Sequence, residues 1–420
     1  MGIFVAFCSF LALALGPGLM NAYGVYEEEY NRLYDNKDGG HYSSALGAPV
    51  IFVGVIQIFI TSTLRPMGYS AMHRLGPGPC VFVGGIVMSV GLLSASYSHH
   101  VWEIFLTQGV VFGIGVCLVW VSAASAPLSW FGKKRSTATG ITHMGMGIGG
   151  FVYSQLSRYF LEKSGTGGSL RWLSLTTLVG ATVVSLGIHK RHHEQPSQDS
   201  KEEQDSIATP NVHWSRYLED EIDKIPTSFD RDSDIEYDGI PFGWYLLLLF
   251  STSVSVSVGL DVRNAAMILG TVNAASAVGR FAAGYVANMI GPTNSLLISA
   301  VLATASSAIL FIPGLGFRLL VTYACLCGVS IGAADLLTSM AATTQFGMPR
   351  AFTAVSIVYG SIGVFVAILA PNAQIAIEQI GHGGTTFTPL YIFIVVVFST
   401  SALLLLAFKL CTSSKFLNRV

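Results

Sequence analysis

Trp130–Gly150 reads WFGKKRSTATGITHMGMGIGG. An aromatic pair leads into three consecutive cations, Lys133, Lys134 and Arg135, and then into a glycine-rich apolar run. A second long apolar segment begins near Trp102 and ends where this stretch begins. Two apolar spans joined by a short basic turn describe a hairpin through a bilayer, with the turn on the cytoplasmic face. A soluble helix–loop–helix with a charged surface is the competing reading, and the recurrence of the pattern along the chain argues against it.

Composition points the same way. The chain of 420 residues is 51% hydrophobic and 11% charged, with a mean hydropathy of +0.57. Soluble domains carry about 25% charged residues, so most of this surface must meet something other than water. A net charge of −1 argues against a nucleic-acid partner held through phosphates. The six cysteines lie in or beside apolar runs without zinc-ligand spacing, so neither a metal site nor a disulfide framework is expected. No Gly-rich Lys-Ser/Thr nucleotide loop occurs, and no cofactor is implied.

Segments of about 20 apolar residues can be placed at 3–25, 46–66, 80–98, 102–129, 137–161, 170–188, 241–259, 264–289, 294–313, 317–344, 352–377 and 387–408. The expectation is an all-α membrane protein of twelve transmembrane helices. With the N-terminus inside, the inside segments carry 16 of the 23 Lys and Arg, Arg65 and Arg280 among them. That is the positive-inside sign, and it puts both termini in the cytoplasm. The plasma membrane is the expected location.

The chain also repeats. Gly76-Pro77 returns as Gly291-Pro292, Gly113 as Gly328, Phe131-Gly132 as Phe346-Gly347, Arg135 as Arg350 and Gly145 as Gly360, each at an offset of 215. Two six-helix, pseudo-symmetric halves follow, 1–189 and 241–420, related about an axis along the membrane normal. Between them, 190–240 is acidic and poor in aliphatics, which reads as a disordered cytoplasmic linker.

Four stretches resemble one known family. They are Asn21–Tyr26 (NAYGVY), the WFGKKRSTATGI turn with its glycines, SVGLDVRNAAMILGTVNAASAVGRFAAGYVANMIGP in span eight, and the Gly76-Pro77 turn. Together with the six-plus-six plan they resemble the major facilitator superfamily, in its monocarboxylate-transporter-like branch of fungal type. The resemblance implies the major facilitator fold and a secondary transporter working by alternating access. Its implied partners are a small-molecule substrate, a monocarboxylate or another organic anion, the bilayer, and a proton as coupling ion. Efflux of a secondary metabolite and a non-transporting sensor on the same fold are the alternatives; an enzyme is not expected.

The departures are specific. Proton-coupled animal members carry a first-span lysine where this chain has Asn21, and an Asp four residues before the eighth-span Arg, where this chain has Ser276 before Arg280. The superfamily's loop acid between spans two and three is His73, and its counterpart is Asn288. The lead into span one, and span seven with its outer loop, are shorter than the family's, which reads as lost exon ends or a degenerating copy.

An ion at membrane depth costs about 2.5–3.5 kcal/mol, so it persists where it faces a cavity or a partner. Asp335 is the acid that reads as deep, and Arg280 lies at similar depth on span eight; an ion pair, direct or bridged by substrate, is expected. Trp120 is Asp335's repeat mate at the same offset. Asn21, Tyr23, Trp120, His143 and Asn273 are further candidates to contact substrate, each a polar handle on an apolar helix. For His143, a neutral ring bonded to a backbone carbonyl competes with proton handling. The expected conformational hinge comprises Lys133, Lys134 and Arg135 with Gly145, Gly149 and Gly150. There span five is expected to pack against the other half, and Gly149→Leu to jam the exchange.

Overall fold

The computed structural model describes residues 2–35, 50–131, 135–188, 248, 251–252, 254–256, 258–311, 316–380 and 388–412. These residues are overwhelmingly helical and contain no strand. Six helices are long and apolar enough to cross a membrane: Gly2–Leu33, Pro77–Ala95, Val101–Ser125, Val262–Ile290, Pro292–Leu310 and Phe317–Ala341. They carry spans one, three, four, eight, nine and ten. Span two is a bent pair, Ile51–Thr63 and Arg65–Leu75, turning by 55°. Pro66 opens the second arm; it has no N–H to continue the ladder and its ring crowds the preceding turn.

Two long helices each hold two spans. Arg135–Ser185 breaks at Gly165, whose φ of 68° only glycine adopts readily, and so yields spans five and six. Phe317–Ile380 reverses direction between spans ten and eleven. The Tyr359 hydroxyl lies 2.9 Å from the Asp335 carboxylate, whereas 24 residues of straight helix would hold them about 36 Å apart. Thr388–Thr412 is span twelve. Most of span seven and the whole linker 190–240 lie outside the described residues.

The repeat is written into the backbone. Gly76 has φ 87° and ψ 159°, and Gly291 has φ 87° and ψ 156°. Both precede a proline at the first turn of the next helix. A side chain is strained at that φ, so the Gly-Pro matches mark equivalent turns rather than chance identities. Large apolar side chains such as Phe7, Val183, Leu186, Val278 and Leu403 are more than half exposed around the bundle, which requires an apolar solvent.

One boundary is corrected. The helix of span one continues past Val25 through Glu27, Glu28 and Glu29 to Asp35. Consecutive helical residues point about 100° apart, so the run does not stay in water as a block. Glu27 is 2% exposed, as buried as Asp335 at 3%, so the bundle buries an acid that the sequence reading left in the loop.

Candidate functional site

The helices bring charged and aromatic side chains of both halves into one layer. Arg65 lies ten residues before Leu75, the end of its arm, and Arg280 ten before Ile290, the end of span eight. That is about 15 Å of helical rise from the end of the bundle holding the turn at Phe131, here called the hinge end.

Arg280 is fully buried. Its Nη2 donates to Asp335 Oδ2 at 3.1 Å, forming the ion pair expected between spans eight and ten. Its Nη1 donates to Ser276 Oγ at 2.6 Å. Ser276 thus holds the guanidinium from the position where the family resemblance predicts an acid, and the counter-charge comes from the neighbouring helix instead. Tyr359 on span eleven donates to Asp335, its hydroxyl 2.9 Å from both Oδ1 and the backbone carbonyl. Both carboxylate oxygens are satisfied, as a buried anion requires.

Tyr359 also meets the first half. Its ring lies edge-on to Trp120, centroids 6.1 Å apart. Between them sits Arg65, its Cζ 4.1 Å from the Trp120 ring centre and 3.7 Å from that of Tyr359. Arg65 is 4% exposed, although its place beside a predicted span end counted it among the loop cations. The 55° bend at Pro66 carries it inward. No carboxylate among the described residues lies within ion-pair distance of it, and its Nε and Nη2 make no hydrogen bond there. Two desolvated π faces return about 2 kcal/mol each, while burying an unpaired ion costs several kcal/mol. Among the described residues the layer carries two guanidinium groups and one carboxylate.

His143, 6% exposed, sets Nδ1 3.0 Å from the Thr139 carbonyl one turn back. That acceptor puts the proton on Nδ1, which is the backbone-bonded arrangement. Arg65, Asp335 and Arg280 all lie within electrostatic range of the ring.

Asn21 and Tyr23 belong to a different place. With Met20, Gly24, Gly54, Gln57, Ile58 and Leu248 they line a cavity of about 10 Å³, roughly room for one water. The Tyr23 hydroxyl donates to the Val50 carbonyl at 2.9 Å. Asn273, fully buried, donates from Nδ2 to Leu269. It packs against Gly150, where an added Cβ would strike its side chain. The structure brings Trp120, His143, Arg280 and Asp335 together and leaves Asn21, Tyr23 and Asn273 apart from them. It adds Arg65 and Tyr359, for which the sequence signals are Pro66 beside the arginine and its spacing from Arg280.

The glycines of span five face two ways. A Cβ on Gly145 or Gly149 would run into the backbone of Phe10 or Ala14 of span one, in the same half. A Cβ on Gly147 would come within 2.5 Å of the Asn273 carbonyl of span eight. The contact with the other half thus runs through Gly147 and Gly150. Lys133, Lys134 and the side chain of Arg135 lie outside the described residues.

Spans five and eight meet along their length. At the hinge end Asn288 Nδ2 donates to Thr137 Oγ1 at 3.0 Å. At the far end Gln155 donates to the Ala266 carbonyl at 3.2 Å, and Arg263 pairs with Glu162 at 2.8 Å. Glu162 also holds Arg158, which reaches Glu29 at 3.9 Å.

A family model described as Major Facilitator Superfamily matches residues 1–371. The MFS-type transporter opdF of Penicillium oxalicum is 25% identical over 334 residues, covering 77% of this chain and 70% of that protein. The Fujikurins efflux protein of Gibberella fujikuroi is 25% identical over 377 residues, covering 90% and 75%. Monocarboxylate transporter 13 of Rattus norvegicus is 24% identical over 337 residues, covering 79% and 72%. The chain spans about half the length, 49%, of a further relative, a transporter of Saccharomyces cerevisiae.

Proposed function

The chain belongs to the Major Facilitator Superfamily, and on that premise we propose that it moves a small organic anion across a membrane by alternating access. Its relatives fit the fungal, monocarboxylate-transporter-like branch. The observation that carries the reading is the Arg280–Asp335 pair, buried in a layer to which spans of both halves contribute. A fixed guanidinium suits a substrate carboxylate through its fork. A carboxylate beside it suits a proton that enters as the substrate's charge displaces the pair. The halves rock about this layer, so the same groups face one side of the membrane and then the other.

The hinge end faces the cytoplasm on this reading. Arg65, Arg280 and Lys409 are buried and leave the cation count, yet 13 against 7 still favours that side. Export is the preferred direction, because the Fujikurins relative is named as an efflux protein. The protein is not an enzyme on this reading, and the plasma membrane is its proposed location.

The deciding experiment is flux of a labelled monocarboxylate panel into proteoliposomes, with and without an imposed proton gradient. Gradient-driven flux that Asp335→Asn uncouples supports the proposal. Carboxylate-dependent thermal stabilisation with no flux, for wild type at normal reconstitution, would identify a sensor instead.

A further inference from the structure

Arg65 is the group that the pair chemistry leaves unexplained. Trp120 and Tyr359 both lie against its guanidinium, their ring centres 4.1 and 3.7 Å from Cζ and 6.1 Å from each other. Its two unbonded nitrogens, Nε and Nη2, are neighbours on a single edge. That edge presents two parallel N–H groups with the spacing of a carboxylate's two oxygens. The position is not arbitrary. Arg280 minus Arg65 is the repeat offset of 215, so the two arginines are pseudo-symmetric mates, as are Asp335 and Trp120. In the second half the mate of Trp120 supplies the carboxylate that closes the pair. In the first half nothing among the described residues does.

We propose that Arg65 is a carboxylate-binding residue: the substrate's carboxylate takes, in the first half, the place that Asp335 takes in the second. The inference rests on the transporter reading above and names the chemistry of its site. It also gives Tyr359 a function. Trp120 and Arg65 belong to one half and Tyr359 to the other, so the aromatic cage is complete only while the halves are shut at this depth. Rocking withdraws the Tyr359 ring and opens the guanidinium edge to the cavity. Closure around an anion replaces a bare buried cation by a neutral layer, so the loaded carrier passes through the shut state more easily than the empty one. A planar, bidentate edge selects carboxylates over neutral amides of the same shape, because an amide turns an N–H towards an N–H.

The test needs no knowledge of the natural substrate. Wild-type protein in liposomes is treated with phenylglyoxal in acetate or in chloride at equal ionic strength, and modification of Arg65 is read by peptide mass spectrometry. The expected result is slow modification in chloride and suppression by about tenfold in acetate, with acetamide giving no protection. Modification that is equal in both salts overturns the proposal, and so does an Arg65 that never reacts. Flux measurements on Arg65→Lys and Arg65→Gln, at matched monodisperse yield, separate this inference from the one beneath it. Carboxylate flux unchanged in both variants sinks the Arg65 site and leaves the transporter standing. Acetate protection of Arg65 with no flux in wild type keeps the anion site and sinks transport.

Discussion

Two arginines, 215 positions apart, occupy equivalent places in the two halves and have opposite surroundings. Arg280 is followed by Phe281, on an unbroken helix whose outer face meets lipid, and it is closed by Asp335 and Ser276. Arg65 is followed by Pro66, on a helix bent by 55°, and among the described residues it is closed by two rings and no carboxylate. The difference teaches that the repeat preserves where a cation sits and leaves open how it is neutralised. One half neutralises its arginine with a carboxylate of its own. The other holds it against two aromatic rings, which offset part of the desolvation and leave Nε and Nη2 without a hydrogen bond among the described residues.

The sharpest way to break that comparison is to take the carboxylate from the closed half. Asp335→Asn strands Arg280 in the bundle, and removal of one member of a buried pair costs about 3–5 kcal/mol. A fall of that size is expected in thermal unfolding of the detergent-solubilised protein. Asp335→Leu combined with Arg280→Met should recover most of it, because nothing charged is then left behind. If the single variant melts with wild type, the pair is not what holds spans eight and ten together.

Span five sharpens the comparison from another side, since it touches both halves. Gly149→Leu forces a side chain into the Ala14 backbone of span one, within the first half, and overpacking of that kind costs about 1–3 kcal/mol. Its effect should appear as lost folding yield. Gly150→Ala instead presses on Asn273 of the second half and should slow flux with yield retained. A yield loss confined to Gly150→Ala would reverse that assignment.

Arg65→Met should do far less harm than Asp335→Asn. It removes two cation–π contacts and, with them, an ion that has no counter-charge among the described residues, so the terms largely cancel to within about 1 kcal/mol. Carboxylate flux should nevertheless be lost. Destabilisation as large as that of Asp335→Asn would mean that Arg65 is a structural clamp, and the contrast between the halves would disappear.

How much of this was legible beforehand divides by the kind of signal. Spans, the offset of 215 and the Asp335–Arg280 pair follow from hydropathy, repeated Gly-Pro turns and the cost of a lone deep acid. Arg65 was misplaced because a cation at the end of an apolar run looks like a loop residue. Whether it turns in or out depends on the bend at Pro66, and a proline signals a kink without its direction. Glu27 was missed for a related reason: three acids in a row look uniformly polar, while a helix sends each to a different face. Gly149 and Gly150 are adjacent letters with different neighbours, span one and span eight, which composition cannot separate. Asn21 and Tyr23 read as cavity residues and do line one, away from the layer where the charges meet.

The exposed pairing at the far end of spans five and eight marks the weak limit of the comparison. Glu162 joins the halves through Arg263 and braces Arg158. The Arg263 hydrogen bond, and then that of Arg158, hold its carboxyl below the ordinary value of 4.5. A depressed folded value means that the unfolded chain takes up the proton first. The contribution is therefore complete above pH 4.5 and is lost as pH falls through the lower, folded value. Glu162→Gln should lower the melting temperature slightly at neutral pH, by less than any variant above, since water screens the pair. The gap between wild type and variant should close on acidification and shrink in high salt. A gap that persists unchanged in acid would mean that the side chain acts by packing, and that the charges at this rim do not hold the two halves shut.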